Sequence, residues 1–306
     1  MPSFSGIAGE DISGGMRLDR FIAERLALLS RSQIKARKLK AGINGKEVKI
    51  SRIVKPGDNI ELFWNEAEPA DLIPQDIPMN IIYEDKRVVV INKPQGMVVH
   101  PGAGNRSGTV ANALVFHMQK CGGFSGPAGG LRHGIVHRLD KETSGVMITA
   151  CDDEALAFLS GQFKSRKAKK TYVAVITGIP REDNGRIETF IARDPRDRKR
   201  FAVASRGRHA LTYYRVIKKW RTHSLVLLRP KTGRTHQLRV HLRYLGHPVT
   251  GDPLYGFPGG LLPDASLMLH SRRLEITLPG VDAPSGFKAP LPERFTEMIR
   301  RLDGLC

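Results

Sequence analysis

Between Met16 and Leu39 the apolar positions Leu18, Phe21, Ile22 and Leu26 keep an i, i+3, i+4, i+8 spacing, which predicts a short amphipathic helix. Ser30 or Ser32 is placed to cap a second helix, which carries Arg31, Lys35, Arg37, Lys38 and Lys40 around Ile34 and Leu39. The pattern then shortens to strands and turns. Ile43-Asn44-Gly45-Lys46-Glu47-Val48 is an Asn-Gly hairpin signal, Lys55-Pro56-Gly57-Asp58 a turn, and Ile60-Glu61-Leu62-Phe63-Trp64 a last strand. Asn65 to Pro78 is acidic, contains proline and lacks periodicity, as a linker does. From Ile81 the text is strand-like, with Val88-Val89-Val90-Ile91 and later Thr171 to Ile176. Asp152 is placed to cap a helix reaching about Lys164, with Leu156, Leu159 and Phe163 on one face. The expected organisation is a flexible N-terminus (1–15), a small module (16–64), a linker (65–79) and a large domain (80–306).

Length and charge narrow the class. A chain of 306 residues is long enough for two domains with a substantial core. Its 49 Lys plus Arg against 30 Asp plus Glu leave a net charge of +19, and a polyanion, nucleic acid first, is the expected partner. Hydrophobic residues make up 41% and the cations are scattered among them, so this is a folding chain and not a basic tail. Residues 186–210, rich in Arg and Lys, read as a hairpin excursion that touches a polyanion, or as a solvated loop. Cys121, Cys151 and Cys306 make neither an even set nor a CxxC pair, which points to a reducing compartment. The N-terminus has no basic and apolar leader pattern and no apolar run reaches ~18 residues, so a cytoplasmic protein with no membrane partner is expected.

The richest stretch for chemistry is His137-Arg138-Leu139-Asp140-Lys141-Glu142-Thr143-Ser144-Gly145. It lies between the β-branched runs Gly134-Ile135-Val136 and Val146-Met147-Ile148-Thr149, so Asp140 ends a β-like run beside Arg138, the layout of a catalytic carboxylate on a loop. Other patterns carry less. Gly102, Gly104 and Gly108 fit neither GxGxxG nor a Walker loop, which argues against a nucleotide cofactor. His137, His236 and His241 lack the spacing of a zinc site. Ser144, His236 and Asp140 lack a GxSxG elbow for hydrolase chemistry. The Gly-rich run Cys121 to Gly130 reads as a surface loop, either ordering around a ligand or without a role.

Two resemblances give these residues roles. Residues 16–64, with the Arg-Leu-Asp-Arg-Phe-Ile opening, Ser30-Arg31-Ser32 and Ile43-Asn44-Gly45-Lys46, resemble the S4 RNA-binding domain. That implies that Arg31, Lys35, Arg37 and Lys38 rest on structured RNA; the alternative is a solvated helix face. From about residue 80 to 300, the HRLDxxTSG motif at Asp140, Lys170-Thr171-Tyr172-Val173-Ala174, and Lys231 through Leu242 with GRTHQLRVH resemble the pseudouridine synthases of the family containing ribosomal large subunit synthases A, C and D. Asn92-Lys93-Pro94, Gly246-His247-Pro248 and Gly251 to Gly256 extend the likeness. His133 and Lys231 depart from it, standing where Pro and an acidic residue are common.

The resemblance implies an α+β catalytic domain with a largely antiparallel mixed sheet, preceded by the small α+β S4-like domain. It also implies isomerisation of uridine in RNA without metal or cofactor. Asp140 would be the catalytic aspartate, attacking the sugar or the base or removing a sugar proton. Arg234 would pair with Asp140, and Tyr172 would stack on uracil. Leu238 would pack on the other side of the base, or else be an ordinary core strand position. Arg138 would fill the space left by a flipped nucleotide, or contact phosphate. An S4 module ahead of this domain looks like the C and D types, which implies 23S-type ribosomal RNA or pre-ribosomal particles as partner and a monomeric enzyme. A non-catalytic RNA-binding protein and an RNA glycosidase are the rival readings.

Overall fold

The computed structural model describes residues 2–12, 14–29, 33–34, 37–65, 72–102, 104–120, 134–257, 262 and 264–305. The chain divides into two compact units, Met1–Asp71 and Leu72–Cys306. Among the described residues no helix is long and apolar enough to cross a membrane.

The first unit contains β1 (Ser3–Ile7), β2 (Met16–Arg17), β3 (Lys40–Ile43), β4 (Lys46–Val48), β5 (Ile53–Val54) and β6 (Asn59–Phe63), with a sheet of order β1-β6-β3-β4 and a separate β2-β5 pair. Asn44 and Gly45 both take positive φ, 52° and 75°, the left-handed geometry that a two-residue turn between β3 and β4 needs. Leu18, Phe21, Ile22, Ile34, Ile60 and Leu62 form the core. Two expectations change. Residues 3–7 are not a loose N-terminus but strand β1, paired from Ser3 with Phe63 to Ile7 with Asn59 and anchored by Phe4 against the core. The first helix is one α turn, Leu18–Arg20, running into a π-helical Phe21–Arg25. Ser30, Arg31, Ser32 and Lys35 of the second lie outside the described residues, whereas Arg37 and Lys38 lie within them.

The second unit is built on one ten-stranded sheet. Its strands are β7 (Ile81–Glu84), β8 (Val88–Lys93), β9 (Ser144–Ala150), β10 (Lys169–Thr177), β11 (Asn184–Arg193), β12 (Phe201–Ala204), β13 (Arg208–Lys219), β14 (His223–Pro230), β15 (Leu269–Thr277) and β16 (Pro284–Lys288). The order is β12-β11-β13-β14-β10-β15-β9-β8-β7, with β16 beside β15; β15 and β9 run parallel and the other pairs antiparallel. The fold is therefore α+β with a largely antiparallel mixed sheet.

Successive strand residues face opposite sides, and here both sides are covered. Val89, Ile91 and Met147 pack with Leu114 and Met118 of helix Val110–Lys120. Val88, Val90, Val146 and Ile148 pack with Leu159, Leu274 and Phe287 on the other side. Helix Asp153–Lys164 starts where expected, capped by the Asp152 carboxylate accepting from Ala155 N at 2.7 Å. Helix Val110–Lys120 was not anticipated; the carbonyls of Val98 and Val99 receive its first N–H groups. The expected linker ends early, since Leu72 and Met79 pack on the large core and Asn112 Nδ2 donates to the Ile73 carbonyl. The run Gly134-Ile135-Val136 forms only a single bridge, Ile135 with Thr149, and Asp140 follows an extended segment instead of ending a strand. Cys121 to Gly130 and His133 lie outside the described residues.

Candidate active site

Asp140 sits in the turn that feeds β9, where Thr143 N donates to its carbonyl at 3.0 Å. Two features fix this turn. Gly145, at φ 115°, brings its backbone so close to β15 that a Cβ would lie 2.2 Å from the Ser271 carbonyl oxygen, so a side chain there would push the strands apart. Lys93, the last residue of β8, is fully buried and donates from Nζ to the carbonyls of Pro94 (2.8 Å), Met97 (2.8 Å) and Lys141 (3.1 Å). Burial pulls its pKa down to about 7. Three carbonyl acceptors require three N–H donors, which only the ammonium form carries, and we take it as charged. This buried cation ties the end of β8 to the residue after Asp140.

The carboxylate faces Arg239, not the Arg234 that the resemblance implies. Arg239, in helix Gln237–Tyr244, places Nη1 3.5 Å from Asp140 Oδ2, with the two side chains 4% and 20% exposed. Its other edge is engaged by Asp252, Nε to Oδ2 and Nη2 to Oδ1, both at 2.7 Å. Asp252 also receives the backbone N–H groups of Leu254 and Tyr255 on Oδ1 at 2.9 Å. Burial weakens the Arg239 cation, but its hydrogen bonds to Asp252 and the charges of Asp252 and Asp140 outweigh this and raise its pKa. A planar guanidinium gripped bidentately on one side presents its remaining nitrogen in one orientation.

Arg234 does not make the expected pair. Its Nε donates to the His209 carbonyl at 2.8 Å, tying the guanidinium to β13. The turn around it is set by Gln237, whose Oε1 accepts from Thr232 Oγ1 (2.7 Å) and Arg234 N (3.0 Å). Burial, then Arg208 and Arg166, lower the Arg234 pKa, as expected for a cation among cations. His236 caps the helix at φ 56° and its Nδ1 lies 2.8 Å from the Tyr255 hydroxyl; burial lowers its pKa.

Tyr172 lies at a register shift of β10 against β15, between Thr171 and Tyr172, the kind of irregularity that re-aims a side chain. Burial, foremost, pushes its pKa up to about 12, with the Asp140 charge adding to the rise, so the ring stays neutral. Leu238 is 7% exposed and belongs to the helix, not to a strand. His137 stacks on Phe163 with centroids 4.4 Å apart and accepts from Ile148 N at 3.1 Å; burial holds its pKa at about 3.

Asp140, Tyr172, Arg234, Arg239, Leu238 and Arg138 all line one cavity of about 480 Å³. Arg138 is exposed, and Lys164, Arg166, Lys170, Arg208 and Lys231 share the lining, so a floor carrying Asp140, Arg239, Tyr172 and Leu238 opens through a cationic mouth. A single nucleotide with its phosphate suits such a site in size and in charge. Of the roles inferred from sequence, Asp140, Tyr172, Leu238, Arg138 and Arg234 thus converge, whereas Arg37 and Lys38 belong to the other unit. Arg239, Asp252 and Lys93 carry no signal of their own in the sequence beyond their motifs, because a carboxylate partner 13 residues along the chain leaves no periodic pattern.

Comparison with known proteins shows the family. The chain matches the family model described as RNA pseudouridylate synthase over residues 87–244. It is 43% identical over 288 residues to the Ribosomal large subunit pseudouridine synthase D of Borreliella burgdorferi, covering 92% of this chain and 87% of that one. To an RNA pseudouridine synthase of Aquifex aeolicus it is 46% identical over 259 residues, covering 83% and 81%. The solved structure of Human RNA Pseudouridylate Synthase Domain Containing 4 is similar at a TM-score of 0.58 with 28% identity, covering 73% of this chain and 93% of that one.

Proposed function

As the chain belongs to the RNA pseudouridylate synthase family and is an RNA-modifying isomerase, we propose that its substrate is large-subunit ribosomal RNA and that Asp140 is the acting group. The substrate class is supported by the name of the Borreliella burgdorferi relative and by the net charge of +19. The single observation behind the chemistry is the Asp140 carboxylate facing Arg239 Nη1 at 3.5 Å inside a cavity of nucleotide size.

In the reaction the bond between uracil N1 and C1′ breaks, the base rotates while bound, C5 bonds to C1′ and gives up its proton, and N1 takes up a proton, so the product is an isomer of the substrate. A uridine inside folded RNA buries these atoms, so the nucleotide is extruded into the cavity. Arg138, exposed at the mouth, fills the vacated space or meets the flipped phosphate. Asp140 acts on the sugar or the base, and Arg239, held by Asp252, supplies fixed positive charge where the carboxylate works. Tyr172, with a pKa near 12, keeps its proton at neutral pH and offers its ring face to the detached uracil. Leu238 closes the other side. Arg234, among Arg208 and Arg166, is a backbone-binding cation by this reading instead of the partner of Asp140.

The first unit, whose hairpin and basic Arg37 and Lys38 resemble an S4 domain, grips structured RNA and delivers it to this site in the reading proposed here. The enzyme works as a cytoplasmic monomer on naked or pre-ribosomal RNA. Chemical mapping of pseudouridine in total cellular RNA, with and without the protein, is the test. Loss of one or more sites in large-subunit RNA supports the assignment; loss confined to other RNAs overturns it.

A further inference from the structure

A second cluster of nucleic-acid chemistry lies on the outer face of β11, β13 and β14, sharing only Lys231 with the Asp140 cavity. In the ladder Arg186 is paired with Tyr213, and Tyr213 with Arg229, so these three side chains stand in a row on one face of the sheet. Arg215, two residues beyond Tyr213, stands on the same face. With Asn184, Leu227 and Lys231 they border a depression of about 760 Å³.

Tyr213 is 40% exposed, while its neighbour Tyr214 turns inward and is 9% exposed. Lys231 Nζ reaches over the Tyr213 ring at 5.9 Å from the centroid. Arg186, Arg215, Arg229 and Lys231 are all exposed. The carboxylate nearest them is Glu188, 3.8 Å from Arg186, and it is also engaged by His209 at 2.8 Å. Among the described residues lining the depression none is acidic.

Lys231 also lines the Asp140 cavity, so one side chain borders both depressions at the turn that ends β14. We propose that this outer face is a subsite for a single-stranded segment of the substrate RNA, with Tyr213 as the platform on which one base stacks and Arg186, Arg215, Arg229 and Lys231 holding the adjoining phosphates. The strand leaving the active site passes Lys231 and turns onto the outer face of the sheet. Paired RNA hides its base faces, and Tyr213 therefore favours an unpaired nucleotide flanking the target. A protein partner for the same face is the competing occupant, and the measurements below separate the two. The proposal rests on RNA being the substrate, and the tests keep the two claims apart.

The probe is a fluorescently labelled single-stranded 20-nucleotide uridine oligomer, titrated into the full chain beside a 20-base-pair RNA duplex. Tyr213→Ala is expected to weaken binding of the single strand by about tenfold or more, the scale of one lost base stack. Tyr213→Phe keeps the ring and is expected within about twofold of the parent, and duplex binding is expected to change by less than about twofold for both variants. Pseudouridine formation by the parent protein is measured alongside on a large-subunit ribosomal RNA transcript. Single-strand affinity unchanged in Tyr213→Ala overturns the subsite, as does an equal loss in Tyr213→Phe. If the parent protein makes no pseudouridine in that transcript, it is the ribosomal substrate assignment that fails, while the oligomer titration still decides the subsite.

Discussion

Arg239 touches Asp140 with one nitrogen, Nη1 to Oδ2 at 3.5 Å, while its other two nitrogens are committed to Asp252 at 2.7 Å. The shorter bonds set the geometry of the longer one. Asp252 thus acts at a distance, as a positioning residue for the carboxylate proposed to work on the substrate.

Replacing Asp252 with Asn keeps the shape but removes the charge and half of the fork. Breaking a buried pair of this kind costs up to ~3–5 kcal/mol of stability, less the part that the Asp140 contact still compensates. The expected result is a lower Tm together with a fall in kcat larger than any rise in KM for RNA. A variant with normal kcat would show that Arg239 needs no such anchor.

Lys93 carries a separate prediction. Lys93→Met fills similar space but removes the donor to the carbonyls of Pro94 and Met97, while the Lys141 carbonyl keeps the Gly96 N–H. Each buried acceptor left unpaired costs about 1–3 kcal/mol. Denaturant unfolding should show a loss of several kcal/mol, and the turn holding Asp140 should loosen, lowering single-turnover rates even at temperatures where the variant is folded.

Buried histidines give the fold an acid limit. His137 is held at about 3, and His241 and His270 at about 4, in each case by burial, against 6.5 for an exposed imidazole. Between those values and 6.5 the unfolded chain binds protons that the folded chain refuses, so stability rises with pH there and is lost as pH falls. The slope is ~1.4 kcal/mol per pH unit for each group. Urea midpoints at pH 7.5, 6.0 and 4.5 should fall steadily, and His241→Gln should flatten the decline. A midpoint constant over that range would contradict the burial of all three.

The first unit should contribute affinity but no chemistry. Removing residues 1–71 is expected to leave pseudouridine formation intact at low salt while flattening the dependence of log K on log[salt], because fewer phosphates are neutralised. An unchanged slope would mean that the second unit binds RNA alone.

Local signals in the sequence were legible because neighbours in the chain produce them. Asp152 caps its helix through Ala155, three residues on, and Asn44-Gly45 makes its own turn. Residue pairs far apart in sequence were not. Asp140, Tyr172 and Leu238 come from three elements and were brought together beforehand only by their likeness to a family, and that likeness chose Arg234 where the ion pair falls to Arg239. Both arginines sit in one short motif, and only the helix starting at Gln237 decides which of them turns towards the carboxylate. Helix Val110–Lys120 was hidden behind glycines at 102, 104 and 108, and strand β1 by its small polar residues, which pair through backbone and need little hydrophobic pattern.

The central claim, that Asp140 is the acting group in a site that otherwise only binds, is tested most directly by Asp140→Asn. This change preserves size and hydrogen-bonding reach while deleting the charge. Single-turnover pseudouridine formation on large-subunit RNA is predicted to vanish, with RNA affinity within about threefold of the parent, a change under ~0.7 kcal/mol. Measurable pseudouridine formation by the Asp140→Asn protein would contradict the account.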